Sequence, residues 1–288
     1  MRFGSRRVRQ GYLSNFIGFP TRIIILLILF IAILFPFYWM ITNAFKLEQE
    51  YFASPPVMFP SRITGQNFID IVQKYEVFKG LINSIMIATG ATIFTVVFGS
   101  MASYSLINGA LPRRIKGVFA GWFLVQKMYP AIVVAVPVFY IIRSLRLMDN
   151  VLSLIIMNTS FNLPLVILLM IGFYQEAPFE VEEQSMLDGC SLPQRYLYVT
   201  TPMVKSGLIA TGMLTFVYSW NEFLYAVILT VNKSKPLTVL IAGFITDKAL
   251  IWGPMAAMGC VVVFPVLLIM WLMQRDFISG ISAGALKG

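Results

Sequence analysis

Residues 23–45 read IIILLILFIAILFPFYWMITNAF, a stretch of 23 uncharged residues between Arg22 and Lys46. About 20 consecutive apolar residues are enough to cross the hydrocarbon core of a bilayer as an α-helix. A helix is the economical solution because it satisfies its own backbone polar groups inside lipid. The stretch is too long for a signal peptide, and no small-residue cleavage site follows it. It therefore predicts an uncleaved first transmembrane helix.

The composition extends this interpretation to the whole chain. Of its 288 residues, 58% are hydrophobic and only 12% are charged, and the mean hydropathy is +0.79. A soluble domain carries roughly 25% charged residues, so too few polar side chains are present here to cover a water-facing surface. These values exclude a soluble globular protein and a disordered chain. They predict an integral membrane protein.

Five further apolar stretches follow the first one, and each is bounded by charged residues. Their continuity differs from the ten-residue alternation of an outer-membrane barrel. No internal repeat is visible. We therefore predict an all-α membrane protein with a single transmembrane domain over residues 1–288, with six transmembrane helices at about 23–45, 81–107, 118–142, 151–175, 206–231 and 251–273.

The flanking charges predict the orientation of these spans. Four arginines cluster between residues 2 and 9, and no acidic residue precedes the first span. Basic residues concentrate on the cytoplasmic side of membrane proteins, so the N-terminus is predicted to be cytoplasmic, and six spans return the C-terminus there. The net charge of +9 is spread over the whole chain. We therefore predict no nucleic-acid partner.

Several kinds of chemistry are excluded by residue types that the sequence lacks. The chain has no histidine, the commonest metal ligand and acid–base group near neutral pH. Its two cysteines, Cys190 and Cys260, are too few and too far apart for a metal site or a disulfide framework. No phosphate-binding G-x-x-x-x-G-K-[ST] loop occurs, so the chain is not predicted to bind ATP. We predict no catalytic residue, no metal and no cofactor bound by this chain.

The predicted cytoplasmic loop at 176–205 differs from the rest of the chain. Pro178 suits the first turn of a helix, and Gly189 is placed to end that helix in a left-handed conformation. Ser191 and Gln194 have the spacing of a capping box, so a second short helix is predicted to begin at once. A solvated helical hairpin that merely joins two spans remains the alternative. The loop contains five of the 13 acidic residues: Glu176, Glu180, Glu182, Glu183 and Asp188.

The same loop resembles the EAA loop of ATP-binding-cassette importer permeases, whose pattern is E-A-A-x3-G-x9-I-x-L-P. Glu183, Gly189 and Pro202 match that pattern, and Val199 is a conservative match. Gln184 and Ser185 replace the two alanines, and Thr201 replaces the leucine. These departures keep small or helix-compatible residues and preserve the spacing.

Segments across the rest of the chain resemble the sugar-importer branch of that family, of the maltose-transporter type. They are FPFYWMITNAFK at 35–46, INSIMIATGAT at 82–92, SWNEFLYA at 219–226 and GISAGALKG at 280–288. The resemblance implies a type I importer permease fold and the role of the shorter, six-span permease subunit. It also implies the cytoplasmic (inner) membrane of a bacterium or archaeon as the location.

The resemblance further implies a set of partners. They are a second permease, two cytoplasmic ATPases that use ATP and Mg²⁺, an extracytoplasmic solute-binding protein, the lipid bilayer and a sugar substrate. Alternatives are an importer permease for a non-carbohydrate solute, a secondary carrier and a membrane-embedded enzyme. The residues that the resemblance assigns to ATPase coupling are Glu183, Gln184, Ser185, Gly189, Cys190, Ser191, Leu192, Arg195 and Pro202.

One acidic residue, Glu222, falls inside the predicted fifth span. A charge near the bilayer centre costs about 2.5–3.5 kcal/mol on insertion scales, so it is expected to face a cavity or a partner. We predict that Trp220, Asn221, Glu222 and Tyr225 line the translocation pathway, with the two rings available to stack on sugars. The alternative is a packing or subunit-interface carboxylate. Lys127, the other charge inside a predicted span, is assigned a structural or interface role ahead of substrate contact.

Overall fold

The computed structural model describes residues 19–109, 111–245 and 251–285. The arginine cluster at 2–9, on which the predicted orientation depends, lies outside these residues. The regular elements of the described part are helical, as the sequence predicts. They are α1 (Phe19–Ala44), α2 (Gln66–Lys74), α3 (Val77–Asn108), α4 (Arg113–Met128), α5 (Ala131–Ser144), α6 (Val151–Glu176), α7 (Phe179–Leu187), α8 (Leu192–Gln194), α9 (Thr201–Met203), α10 (Lys205–Trp220), α11 (Leu224–Leu229), α12 (Leu237–Ala242) and α13 (Trp252–Ala285).

Four of these helices, α1, α3, α6 and α13, are long and apolar enough to cross a membrane. A fifth span results if α4 and α5, which meet at a bend of 96°, are counted together. A membrane protein with several helical spans is therefore confirmed. Length and composition within the described residues give four or five spans, whereas the sequence predicts six.

The predicted third span, 118–142, is not one continuous helix. Helix α4 ends at Met128, Tyr129 is extended with φ −69° and ψ 127°, and α5 begins after Pro130. Proline has no N–H to continue the helical ladder, and it pushes the preceding residue out of the helical region. The break therefore follows from Pro130, although the apolar stretch runs on without a charge beyond Lys127.

The predicted fifth span, 206–231, is also interrupted. Helix α10 ends at Trp220, and α11 begins at Leu224 after a short irregular segment. In that segment the carboxylate of Glu222 accepts the backbone N–H groups of Tyr225 at 2.7 Å and Ala226 at 3.1 Å. The side chain thus takes the place of the carbonyls that would continue the first helix, and a new helix starts.

The centre of the described structure is formed by α3 packed along α6 and α10. Small residues line the contact: a Cβ added at Gly99 would lie 2.7 Å from the side chain of Val166, and Ser103 donates its hydroxyl to the carbonyl of Ile167 at 2.9 Å. Small residues let helix backbones approach closely, which is the common way to pack helices in a membrane. Helix α1 packs on α13 at the edge, and the side chains of its span are largely exposed.

At one end of the bundle, Asp149 joins the α5–α6 connection to the α11–α12 connection. The backbone N–H of Asp149 donates to the carbonyl of Leu229 at 2.8 Å. Its carboxylate accepts four successive backbone N–H groups, at distances of 2.9–3.1 Å, from Val231, Asn232, Lys233 and Ser234. We call this arrangement the Asp149 latch. Partial burial alone would raise the pKa of the carboxyl group, but the four donors outweigh it and hold this pKa well below its ordinary value.

Replacing Asp149 with alanine is expected to destabilise the protein by about 2 kcal/mol, because several backbone donors lose a charged acceptor. Since the folded-state pKa is lowered, the stabilisation is present above the ordinary aspartate pKa of about 3.9 and is lost as the pH falls through the lower folded value. Thermal unfolding of the two proteins at pH 7 and in acid checks this. The difference must shrink in acid. The variant Glu76→Gln, which removes a single exposed ion pair with Lys79, is the control and should change little.

Candidate functional site

The segment 176–205 contains two helical parts joined by a sharp turn at Gly189, as the sequence predicts. Gly189 has φ +80°, a left-handed conformation. The N–H of Gly189 donates to the carbonyl of Met186, and the N–H of Cys190 donates to that of Ser185, both at 3.1 Å. This pair of bonds is the Schellman motif, which ends a helix with a fixed change of direction.

The second part starts directly after the turn. The side chain of Gln194 reaches back and accepts the backbone N–H of Ser191 at 2.8 Å, which is half of the predicted capping box. Helix α8 then widens into a π-helical turn over Arg195–Thr200 before α9 follows. The predicted second helix is therefore irregular. Pro202 lies inside it, where it has no N–H to donate.

The structure divides the predicted coupling residues into two groups. Ser185 is buried, and Cys190 and Arg195 are partly buried. Large apolar side chains are exposed on the same segment, among them Leu187 at 84% and Tyr198 at 78% of their surface. Such residues beside polar ones are typical of a surface that contacts another protein. The exposed coupling residues are Glu183, Gln184, Gly189, Ser191, Leu192 and Pro202.

The most connected side chain of the segment is Glu182, which is only 4% exposed. Its carboxylate accepts the hydroxyl of Tyr104 on α3 at 2.5 Å and also the hydroxyl of Thr200. Arg195 forms an ion pair with it at 3.3 Å. A buried carboxylate is thus satisfied by two hydroxyls and one cation. These contacts tie both halves of the segment to α3.

Glu182 is not among the site residues predicted from the sequence. The family pattern directs attention to its neighbour Glu183, which is exposed. A usable signal was present, since Glu182 and Ser185 are three residues apart and so share one face of a helix. That face points towards the membrane helices, whereas Glu183 lies on the outer side of α7.

The breaks in the third and fifth predicted spans lie next to each other. The hydroxyl of Tyr225, in α11, donates to the carbonyl of Ala131, at the start of α5, at 2.9 Å. The ring of Tyr225 also packs on Phe161 of α6, with ring centroids 4.8 Å apart. Lys127, just before the first break, donates to the carbonyl of Phe161 at 3.4 Å. A cavity of about 220 Å³ lies beside this junction and is lined in part by Gln126, Tyr129 and Ser160.

Within the predicted pathway group, the two rings are buried. Trp220 is 2% exposed and donates its ring N–H to the carbonyl of Val262, and Tyr225 is 3% exposed. Neither ring face is open to a sugar in this conformation, contrary to the expected stacking role. Large aromatic side chains at this helix break fill the core. Their spacing in the sequence is the same as that expected for rings that stack on a ligand, so it could not distinguish the two roles.

The other two pathway candidates are more accessible. Asn221 is exposed, and Glu222 is partly buried. The sequence predicts that Glu222 faces a cavity or a partner, and the structure gives it partners within the chain, the N-terminal N–H groups of α11. Anionic groups are favoured at that end of a helix. Its backbone carbonyl also accepts the hydroxyl of Thr238 at 2.9 Å.

Comparison with known proteins places these features in a family. Residues 96–275 match the family described as the binding-protein-dependent transport system inner membrane component. The diacetylchitobiose uptake system permease protein DasC of Streptomyces coelicolor is 31% identical, with 91% of this chain and 94% of that protein covered. The trehalose transport system permease protein SugB of Mycobacterium tuberculosis is 32% identical, with 80% and 85% covered.

A solved structure has the same fold. A chain of a bacterial ATP-binding-cassette transporter, described as involved in the import of the acidic polysaccharide alginate, aligns with a TM-score of 0.75 at 19% identity. The alignment covers 96% of this chain and all of that one. The match of the family over most of the chain and the relatives above 30% identity lead to one conclusion. This chain belongs to the inner membrane components of binding-protein-dependent transport systems, and it is a multi-pass permease subunit of an ATP-binding-cassette transporter rather than an enzyme.

Proposed function

We propose that the chain is the shorter permease subunit of a carbohydrate importer, which forms the translocation pathway together with a second permease. The segment 176–205 carries this proposal, because it presents the family's coupling pattern on a rigidly bent, exposed surface with apolar side chains. The carbohydrate class is supported by relatives whose names state diacetylchitobiose uptake and trehalose transport.

Six spans with cytoplasmic termini are compatible with the helices described. They are obtained by counting α4 with α5 and α10 with α11 as interrupted spans, beside the four continuous ones. Irregular backbone at membrane depth is tolerated where it is buried in protein or lines a cavity. The first break lines the cavity of about 220 Å³, and Glu222 at the second break lines a smaller, separate one. In this arrangement the segment 176–205 is cytoplasmic and the Asp149 latch is extracytoplasmic.

The proposed partners follow from this topology. Two ATPase subunits, which bind ATP and Mg²⁺, take up the coupling segments of this chain and of the second permease on the cytoplasmic side. A solute-binding protein delivers substrate on the other side. In support, a bacterial alginate transporter with this fold has been solved in complex with an alginate pentasaccharide-bound periplasmic protein. Ser185, Cys190 and Arg195 support the contact with the ATPase from inside. The residues proposed to make that contact are the exposed coupling residues Glu183, Gln184, Gly189, Ser191, Leu192 and Pro202.

The proposed translocation pathway runs along the junction of the two interrupted spans. Asn221 and Glu222 lie at one break, and Gln126 and Tyr129 lie at the other. Amide, carboxylate and phenol groups are suited to a solute rich in hydroxyls. Trp220 and Tyr225 are buried and stabilise the junction through their hydrogen bonds to the carbonyls of Val262 and Ala131.

The experiment that tests this function is purification of the chain with and without its partner subunits. The isolated chain is expected to hydrolyse no ATP, whereas an ATPase subunit is expected to co-purify when the subunits are produced together. The reconstituted complex is then tested for uptake of trehalose and diacetylchitobiose in the presence of a solute-binding protein. Hydrolysis by the contaminant-free chain, or a complex that carries no ATPase, would contradict the proposal. If the complex takes up a non-carbohydrate solute instead, the proposed carbohydrate substrate is wrong and that solute class takes its place.

A further inference from the structure

The network around Glu182 joins three separate parts of the chain. Glu182 lies on α7, Tyr104 on α3, and Arg195 and Thr200 on the π-helical turn. The two oxygens of one carboxylate hold all three partners. Because the carboxylate is buried, the two hydroxyl hydrogen bonds are made in a site of low dielectric constant, where they are strong, and Arg195 adds a charge contact.

A second set of contacts runs parallel to the first. The hydroxyl of Ser100, one turn before Tyr104 on α3, lies 2.7 Å from the hydroxyl of Tyr174 on α6 and 3.0 Å from that of Tyr196. The ring of Tyr104 packs on those of Tyr174 and Tyr196, with centroids 5.6 Å and 5.2 Å apart. The end of α3 is thus attached to the segment by both polar and aromatic contacts.

Stability alone does not account for a buried ion pair. A well-packed apolar replacement is often as stable as such a pair, since the charges must lose their hydration. A buried polar network is instead suited to fixing one relative arrangement of the parts it joins. Here those parts are the coupling segment and a membrane-spanning helix, and their relative arrangement decides whether a push on one moves the other.

We propose that Glu182 is a positioning residue that fixes the coupling segment to the inner end of α3, so that displacement of the segment by an ATPase is passed to the span without slippage. Tyr104 is its contact on the helix, and Arg195 pairs with the carboxylate from the π-helical turn. This inference rests on the proposed function, because it assigns the source of the displacement to the ATPase. The network itself lies entirely within this chain.

The test compares two variants of the assembled transporter with a matched control. Glu182→Gln removes the charge at nearly constant size, and Tyr104→Phe removes a single hydroxyl. Glu180→Gln neutralises an exposed carboxylate two residues away on the same helix and is the control. Spin labels at Ser105, exposed on α3, and Val181, exposed on α7, report the distance between span and segment. Serine replaces both native cysteines.

In the unaltered complex we expect the same interspin distance without nucleotide and with ATP and vanadate trapped, because segment and span move together. In Glu182→Gln we expect the population with a changed distance to rise about fivefold on trapping, the scale of one lost net hydrogen bond. Tyr104→Phe should shift it in the same direction, and Glu180→Gln should not. Thermal stability is measured on the same samples, since a merely structural role lowers it without making the distance depend on nucleotide.

Three results would overturn the inference. One is a distance that changes with nucleotide in the unaltered complex, because segment and span then move independently. Another is a Tyr104→Phe complex whose interspin distance, like that of Glu180→Gln, does not depend on nucleotide. This result overturns the inference even if Glu182→Gln does not assemble. The third is a failure of the unaltered chain to retain an ATPase, which contradicts the proposed function as well and is recognised by co-purification before any variant is made.

Discussion

Replacement of Gly189 with valine is expected to release the ATPase subunits from the transporter while the permease still inserts and folds. At φ +80° a residue with a Cβ is strained by about 1 kcal/mol or more, and a β-branched side chain is least tolerated there. No atom lies within 4 Å of the position that a Cβ would take, so the effect comes from the backbone alone. The turn must relax, and α8 then leaves α7 in another direction.

The matched variant is Gly189→Asn, because asparagine adopts the left-handed conformation more readily than other residues with a side chain. It is expected to retain most of the bound ATPase. Gly172→Val is a second control, since Gly172 lies in α6 with open space around it. The measurement is the amount of ATPase subunit that co-purifies per permease, with membrane insertion checked on the same preparation. Equal co-purification for all three variants would show that the angle between the two helical parts does not determine docking.

The second large effect is expected at Glu222. Changing it to alanine should reduce solute uptake at least tenfold, since it removes both a charge beside the proposed pathway and the acceptor for two N–H groups at the start of α11. Loss of a helix cap alone costs about 1 kcal/mol, and the tenfold loss corresponds to about 1.4 kcal/mol. The coupling segment is distant in the chain, so binding of the ATPase should persist.

The variant Glu222→Gln separates the two roles of this carboxylate. Glutamine keeps an oxygen that can accept the N–H of Tyr225 but carries no charge. If uptake fails in both variants, the charge itself acts in the pathway. If uptake returns with glutamine, the residue serves to start α11. Normal uptake with alanine would remove Glu222 from the pathway, and loss of the assembled complex would make it an interface carboxylate.

Local sequence signals predicted the local structure of the coupling segment well. The left-handed turn at Gly189 and the contact between Ser191 and Gln194 each depend on residues within five positions of one another. The long apolar stretches likewise predicted α1, α3, α6 and α13. In these cases the local structure is determined by hydrogen bonds between near neighbours or by the transfer of apolar side chains from water to lipid. Both can be recognised in a single stretch of sequence.

Features that depend on contacts between distant residues were not predicted. Hydropathy treats 206–231 as one span, whereas the carboxylate of Glu222 ends one helix and begins another. Burial of Trp220 requires α13, more than 30 residues further along. The role of Glu182 depends on Tyr104, which is 78 residues away. No pattern within a window of one helix contains that information.

The Asp149 latch has a consequence for how the protein is made. Its carboxylate and the backbone donors it binds are separated by 82–85 positions. At a synthesis rate of about 5–20 residues per second, the ribosome needs roughly 4 to 17 seconds to add the missing partners after it has incorporated Asp149. During that interval α6 must enter the membrane while the α5–α6 connection lacks its hydrogen bonds to the α11–α12 connection. The latch can close only when most of the polypeptide has been made, which places it among the last steps of biogenesis.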